Sequence, residues 1–400
     1  MTSSENDPAR SSGDLTLIML LAAVNAIGPF SMHALSPALP EISAGFQVPA
    51  AAAQLMLSLS LLAMAISTLF WGPVSDRHGR RPVLIWGLIL CAVGSVLAAI
   101  APELWLAILG RLLQAGGGAA GIVLARAVAQ DVFGSERAAG VIGQVTAVMV
   151  AAPMIAPAIA GMVVELSGWR GVFWMVGAVT VALVIWSRAA MPETAPDRGA
   201  VRGIGDMVTG FRMVAGRRAF WRYAGYASFG LASFYFFVAI APYVMREAFD
   251  QGPAAYGFYF MMLSAMFMLT NFIAGPISRR FGQEETLLFG AVFALIGPFL
   301  TSALLISGVH QPWVLFVPGM IQSLGAGLAM PNAMAGAVSS APERAGAASG
   351  LLGFGQFIVA AVTTQVAGFL PHDIALTVPI GMVVIVLPGI AGLLILRHEN

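Results

Sequence analysis

Twelve long apolar stretches, separated by short polar or glycine- and proline-containing connections, fill almost the whole chain. A helix needs roughly 20 apolar residues to cross about 30 Å of hydrocarbon, and each stretch approaches that length. We therefore predict an all-α integral membrane protein with twelve transmembrane helices. The predicted spans are 15–38, 52–73, 82–100, 104–128, 139–163, 170–189, 221–245, 255–276, 285–306, 312–333, 346–368 and 375–396.

Composition excludes several other classes of protein. Only 10% of the 400 residues are charged, whereas a soluble globular domain carries about 25%. A net charge of +1 gives no basis for nucleic-acid binding. The single cysteine rules out a disulfide framework. The five histidines are scattered without the HExxH spacing, so we expect neither a metal site, nor another cofactor, nor an intramembrane enzyme.

The arginines predict the orientation of the chain. Seventeen arginines fall in loops and ends on one side of the predicted spans, two (Arg170 and Arg246) fall on the other side, and Arg111 lies inside a span. Cytoplasmic loops are enriched in Lys and Arg, so both termini are predicted to be cytoplasmic in a bacterial inner membrane. Residues 1–14 are polar and mixed in charge, and the apolar run that follows ends in no small-residue cleavage site, which argues against a removed signal peptide. We expect a monomer.

The chain contains an internal repeat. The loop segment 72–79, GPVSDRHG, recurs as GPISRRFG at 275–282, and the triplet 136–138 recurs at 343–345. Parallel repeats of six spans place a binding site between the halves near the bilayer midplane. The predicted organisation is an N-terminal tail at 1–14, a six-helix half at 15–189, a linker at 190–220, a second six-helix half at 221–396 and a tail at 397–400.

The linker carries one further helical pattern. Met207, Phe211 and Val214 recur at helical spacing and could form the apolar face of a helix that lies on the membrane surface.

Three segments carry a resemblance to a known family. They are GPVSDRHGRRPVL at 72–84, GRLLQAGGGAAGIVLARAVAQDVF at 110–133 and APMIAPAIAGMVVELSGWRGVFW at 152–174. The chain resembles the major facilitator superfamily, within it the twelve-span drug:proton antiporters of the Bcr/CflA type. The resemblance implies two six-helix repeats around a central cavity, and export of small drug-like molecules by proton antiport. A proton-linked importer or facilitator of a small metabolite is the alternative.

The first of these segments is interpreted as a gate on the arginine-rich side. Gly72 and Gly79 permit close approach of helices and a tight turn. The resemblance implies that Asp76 docks against the start of span eleven and that Arg80 pairs with Asp131. In the second half Arg279 stands where Asp76 would, so only the first copy has the acid. The arginines could instead act only as topology determinants. The predicted gate is Gly72, Asp76, Arg77, Gly79, Arg80 and Asp131.

Arg111 is the most informative single residue because a guanidinium inside a span is costly and usually faces a bundle interior or a wet cavity. Gln114, one turn further along the helix, shares its face. The alternative is that Arg111 extends to the membrane surface. The family resemblance supports a role in substrate binding or proton coupling.

His33 departs from the family pattern, in which an aspartate usually occupies this position in span one. No Asp or Glu lies in the interior of any predicted span, and Asn25 stands where some relatives have a second acid. Histidine titrates near neutral pH, so His33 and Arg111 are the predicted proton-coupling residues. A cavity with these two residues and no acid favours neutral or anionic substrates. A histidine that is never protonated is the alternative.

All six tyrosines fall between residues 223 and 259, on spans seven and eight. Aromatic rings offer large apolar contacts to a varied set of ligands, although some of these residues could belong to the interfacial aromatic belt. Gln356 could equally link two helices. The predicted substrate-binding residues are Asn25, His33, Arg111, Gln114, Phe234, Tyr235, Tyr256, Tyr259 and Gln356.

Overall fold

The computed structural model describes residues 8–194 and 204–395, and all regular structure in these ranges is helical. This confirms the predicted all-α fold. The predicted tail 397–400 and residues 195–203 of the predicted linker lie outside the described residues. The α-helices are α1 Pro8–Ala34, α2 Leu39–Gly45, α3 Ala50–His78, α4 Arg80–Ile100, α5 Leu104–Ala190, α6 Ile204–Ala215, α7 Arg218–Glu247, α8 Pro253–Phe281, α9 Gln283–Ile306, α10 Trp313–Ser339, α11 Ala345–Ala367 and α12 Thr377–Ile395.

Helix α5 is continuous in its hydrogen bonding but contains more than one span. Its 87 residues would measure about 130 Å if straight, roughly four times the hydrocarbon thickness. Gly134 and Gly168 have φ angles of 64° and 73°, a left-handed conformation that glycine adopts at little cost. These two residues divide α5 into the fourth, fifth and sixth predicted spans.

The described residues contain eleven segments that are long and apolar enough to cross a membrane. One of them, Gly140–Ala190, has 51 residues and includes the left-handed Gly168. A 51-residue helix would be about 77 Å long, so this segment accommodates two spans. The total then agrees with the twelve spans predicted from hydropathy.

The chain divides into two compact units. Unit 1 contains residues 1–32, 66–153 and 170–201, and unit 2 contains 33–65, 154–169 and 202–400. Each unit has its own apolar core, with Leu20 and Leu124 in unit 1 and Phe220 and Ala333 in unit 2 fully buried. The arginine-poor end of α1, the start of α3 and a middle section of α5 therefore pack with α7 and α8. The predicted division into halves at 15–189 and 221–396 stays a prediction.

The internal repeat is visible in helix packing. A Cβ atom on Gly87 of α4 would meet Ala120 of α5, and a Cβ atom on Gly290 of α9 would meet Ala329 of α10. The two glycines are separated by the offset of 203 that relates the repeated loop segments. Small residues let helices in membranes approach closely, so each unit uses the same device for the same pair of helices.

Helix α6 packs on its own unit. Val214 is 1% exposed and belongs to the core of unit 2, and Phe211 lies over Gly350 of α11. The side chain of Met207 lies outside the described residues. The apolar face predicted to lie on the membrane surface is thus covered, at Phe211 and Val214, by neighbouring helices.

Candidate functional site

Arg111 lies in a buried polar network within unit 1. Its side chain is 1% exposed, which argues against extension to the membrane surface. One terminal nitrogen donates to the Ser31 carbonyl at 3.1 Å and contacts the Met32 sulfur at 3.0 Å. The other donates to the Ser31 hydroxyl at 3.3 Å and to the side-chain oxygen of Gln114. The carbonyls in the last turn of a helix have no intrahelical partner, and Arg111 satisfies that of Ser31 near the end of α1.

Gln114 extends the network to α4. Its amide nitrogen donates to the Ser95 hydroxyl at 2.7 Å, and both side chains are buried. Gly94 makes room for this contact, because a Cβ atom there would meet the backbone of Gln114. Charge-assisted hydrogen bonds are stronger than neutral ones, and the four acceptors described for Arg111 are uncharged. The network therefore joins α1, α4 and α5 through the Arg111 guanidinium and the Gln114 amide.

Asn25 lies two turns before this network along α1. It is fully buried, and its amide nitrogen donates to the carbonyl of Val145 in α5 at 3.2 Å. Its Oδ1 atom is buried and accepts no hydrogen bond from the described residues. A buried acceptor without a donor is costly, so Asn25 has one polar atom available to a ligand or a water molecule.

His33 is enclosed by aromatic rings in unit 2. The imidazole is 4% exposed, and its ring centre lies 5.7 Å from Phe234, 5.7 Å from Tyr235 and 6.4 Å from Phe260. It occupies the last turn of α1, where the helix dipole favours positive charge. The imidazole therefore belongs to an aromatic cluster of α7 and α8.

The other predicted aromatic residues extend this cluster. Tyr256 is 1% exposed, and its hydroxyl is hydrogen-bonded to the Ser36 hydroxyl at 2.8 Å. Tyr259 is half-buried and stacks on Phe316 with ring centres 4.9 Å apart. Gln356, also buried, donates to the carbonyl of Ala227 in α7 at 3.3 Å, which is the helix-linking contact left open above.

The predicted binding residues are thus divided between the two units. Arg111, Gln114 and Asn25 belong to unit 1, whereas the remaining predicted residues belong to unit 2. The boundary between the units falls at the Met32–His33 peptide bond. Arg111 donates hydrogen bonds to Ser31 and contacts Met32, the last residue before this boundary, and His33 is the first residue after it.

Three of the predicted gate residues, Asp76, Arg80 and Asp131, are in contact within unit 1. Arg80 is 8% exposed; its Nε donates to Asp131 at 3.1 Å, and Nη1 donates to Ser75 at 2.6 Å and to Asp76. Gly79 has a φ angle of 102°, so its conformation requires glycine. Arg77 is exposed. The ion pair between Arg80 and Asp131 that the family resemblance implied is present.

Glu193 completes this cluster, and the sequence analysis did not select it. Its Oε1 atom accepts the backbone N–H of Arg80 at 2.8 Å, at the first residue of α4, where backbone donors have no helical partner. The next residue, Thr194, donates to Asp131 at 3.3 Å. An acid is favourable at a helix N-terminus, but the sequence could not show that residue 193 would reach residue 80.

The repeated loop in the second half makes a different set of contacts. Ser278 contacts the Asn332 side chain at 2.7 Å, and Gln283 donates to the Asn332 carbonyl at 2.8 Å. Gln283 occupies the position equivalent to Arg80 by the repeat offset. Glu284, the next residue, forms an ion pair with the buried Arg222 of α7, so this end of the second half has a charged contact at a different position from that of Asp76.

At the arginine-poor end, unit 2 contains a second set of interhelix contacts. Ser36 donates to the carbonyl of Val238 at 3.0 Å, Gln54 to that of Ala239 at 2.6 Å, and Tyr243 to that of Leu39 at 3.1 Å. These bonds join α2, α3 and the turn after α1 to α7. Neither Ser36 nor Gln54 is recognisable as a site residue in the sequence, because single polar residues in apolar helices carry no motif.

Twelve spans, repeated packing between equivalent helices and buried polar residues within the spans are the architecture of a secondary transporter. The sequence matches the Major Facilitator Superfamily over residues 19–396, and the chain belongs to this family. A member of this family is a transporter of small molecules, and its many apolar helices make it a multi-pass membrane protein.

Relatives with resistance functions in their names cover nearly the full length. The chain is 26% identical over 369 residues to multidrug resistance protein D of Escherichia coli, with 90% of each chain covered. It is 27% identical over 368 residues to a bicyclomycin resistance protein homologue of Haemophilus influenzae, again with 90% of each covered. It is 26% identical to a chloramphenicol resistance protein of Pseudomonas aeruginosa, covering 90% of this chain and 85% of that one.

Solved structures share the fold at low sequence identity. The xylose transporter XylE from E. coli, in a partially occluded inward-open conformation, has a TM-score of 0.74 and 11% identity, with 97% of this chain and 98% of that chain covered. A peptide transporter crystallised with alafosfalin has a TM-score of 0.78 and 14% identity, with 95% and 94% covered. These structures support the fold and carry no information on substrate.

Proposed function

We propose that this protein exports small drug-like molecules, neutral or anionic, across the bacterial inner membrane in exchange for protons. The observation that carries the proposal is Arg111, a guanidinium buried inside a span that donates to Ser31 of α1 and, within its own helix α5, to Gln114, which in turn donates to Ser95 of α4. Residues of this kind mark substrate or ion pathways in membrane proteins. The resistance proteins among the relatives give the class of substrate.

In this proposal two six-helix halves alternate access to a central site in a monomer. Arg111 binds the substrate, and His33 carries the proton. The charge distribution of the loops supports an orientation with both termini in the cytoplasm. The proposed substrate contacts also include Asn25, Gln114, Phe234, Tyr235, Tyr256, Tyr259 and Gln356.

Each end of the helices has a set of contacts that supports a gating role. The cluster around Arg80, with Gly72, Asp76, Arg77, Gly79, Asp131 and Glu193, is the proposed cytoplasmic gate. The bonds of Ser36, Gln54 and Tyr243 to α7 and α2 are the proposed gate on the opposite side. Alternating access requires that one set of contacts breaks while the other forms.

The test is transport by purified protein in lipid vesicles, with chloramphenicol and bicyclomycin as probes. With the vesicle interior more acidic than the bath, proton antiport accumulates the drug inside above its external concentration. Vesicles without protein and vesicles with a protonophore are the controls. Equilibration without accumulation would indicate a facilitator, and accumulation only under the opposite gradient would indicate a symporter; either result contradicts proton-driven export.

Replacing Asp76 by asparagine is expected to lower the maximal transport rate about tenfold, with little change in substrate affinity. The substitution keeps the size of the side chain but removes one charge partner of the buried Arg80, and removing one partner from a partly buried ion pair is destabilising. The measurement is transport rate against drug concentration, together with equilibrium drug binding. Asp14→Asn is the matched control, because Asp14 pairs with the exposed Arg137. Equal loss of rate and affinity would assign Asp76 to the binding site or to folding.

A further inference from the structure

A cavity of about 450 Å³ lies in unit 2 at the arginine-poor end of the helices. Its volume falls within the range of small-molecule sites. Proline side chains and the ring of Tyr256 form its apolar walls. Its charged lining residues are Glu41, Glu165, Arg246 and Asp250.

The lining carries an excess of negative charge. Three carboxylates face one guanidinium, so the formal charge of the lining is negative. In the part of the chain that the structure describes, no group of three acidic, histidine or cysteine side chains is placed to hold a metal ion. Carboxylates spread over the wall of a cavity suit an extended organic cation with several N–H donors better than a compact metal ion.

Glu41, a half-buried acid of this lining, has one carboxylate oxygen in an unfavourable environment. Its carboxylate accepts the backbone N–H of Trp169, which fixes one side of the group. Its Oε2 atom is buried and accepts no hydrogen bond from the described residues. A buried carboxylate oxygen without a donor is costly, and a ligand ammonium group would remove that cost.

The cavity walls come from both sequence halves. Glu41 lies on α2 and Glu165 on α5. Arg246 lies in the last turn of α7, and Asp250 lies in the turn before α8. Glu165 also accepts the backbone N–H of Ala254 at the start of α8 at 3.1 Å. An occupant that contacts α2 and α5 as well as the turn between α7 and α8 would add to the hydrogen bonds that already join these helices. It would be released when the helices separate.

We propose that this cavity binds a small organic cation bearing two or more amine groups, and that the bound cation holds this end of the helices closed and slows transport. The binding itself is independent of the proposed export function, whereas the effect on transport rests on it. The site is distinct from the Arg111 network, whose positive charge favours neutral or anionic molecules.

The experiment is calorimetric titration of spermidine into the purified protein in nanodiscs of uncharged lipid at fixed ionic strength. We expect saturable binding that Glu41→Gln weakens about tenfold, since the amide still accepts the Trp169 N–H but has lost its charge. Glu103→Gln is the matched control: Glu103 is an acid in the loop before α5, hydrogen-bonded to Trp105 and outside the cavity, and its loss should leave the affinity unchanged.

Asp250→Asn provides a second variant that preserves the backbone. Asp250 has a φ angle of 52°, which asparagine tolerates well, and we expect a weakening of spermidine binding similar to that of Glu41→Gln. Absence of binding to the parent protein would overturn the proposal, as would equal weakening by Glu103→Gln. Unchanged affinity for spermidine in both Glu41→Gln and Asp250→Asn would also overturn the proposal.

The effect on transport is measured in vesicles. Spermidine on the cavity side should slow drug transport by the parent protein and not by the Glu41→Gln protein. If spermidine slows the Glu41→Gln protein as well, the gating role is excluded, while the binding result still stands.

Discussion

Replacing Arg111 by alanine is expected to reduce drug transport to background, and replacing it by lysine is expected to reduce it more than about tenfold. Lysine keeps the charge, but one ammonium group cannot reproduce the planar fork that reaches Ser31, Met32 and Gln114 together. A hydrogen bond to a charged group contributes about 1.5–3 kcal/mol, so the loss of one or two such bonds accounts for this magnitude.

The measurement is drug transport in vesicles containing equal amounts of each variant, with the size-exclusion profile as the check of folding. Arg137→Lys is the matched control, because Arg137 is exposed and pairs with Asp14 at the surface, where such pairs contribute little. Full transport by a folded Arg111→Lys protein would show that the guanidinium geometry is dispensable.

The second large effect is expected at His33. Glutamine at this position retains hydrogen bonding but cannot titrate, so drug binding should become nearly independent of pH between about 5 and 8. Antiport needs a group that holds either a proton or the substrate. With that group removed, an imposed pH gradient should no longer drive accumulation, while drug exchange without a gradient continues.

The charge of the drug determines the direction of this coupling. Protonation of His33 adds a positive charge, which disfavours a cationic or neutral ligand and gives antiport. An anionic ligand would bind better to the protonated form, so His33 would couple an anionic drug by symport, and the proposed antiport through His33 applies to a neutral drug. His33→Asp, the residue usual in the family, should retain gradient-driven export and shift preference toward cations.

The matched control for His33→Gln is His310→Gln, which removes an exposed imidazole from the connection between α9 and α10. It should transport as the parent protein does. Gradient-driven accumulation by the His33→Gln protein at the parent rate would exclude this histidine as the proton carrier.

Some site contacts could be predicted because they are local. Arg111 and Gln114 are three residues apart on one helix, and helical geometry alone brings their side chains together. The turn at Gly79 and the repeated loop at 275–282 were likewise visible in the sequence. The pairing of Arg80 with Asp131 was implied only by the family resemblance, since 51 residues separate the two.

Other contacts could not be predicted. The rings around His33 come from α7 and α8, about 200 residues away in sequence. Ser95, which binds Gln114, and Glu193, which binds the N-terminus of α4, have no motif of their own. Each contact depends on the rotation of a helix about its axis and on the distance to its neighbour. An apolar helix that is buried or lipid-covered on all sides has no periodic sequence pattern from which its rotation or this distance could be read.

The sequence by itself determined the fold class and the number of spans. In hydrocarbon every backbone N–H and C=O group needs a hydrogen-bond partner within its own segment. A long apolar stretch must therefore form a helix, and hydropathy is enough to count the spans. Only the tertiary structure decided which polar groups meet: the network of Arg111, the aromatic enclosure of His33, and the charged cavity beside Glu41. Those contacts follow from close approaches at residues such as Gly94 and from the turn at Gly168, where a few ångströms of helix displacement decide whether a hydrogen bond forms.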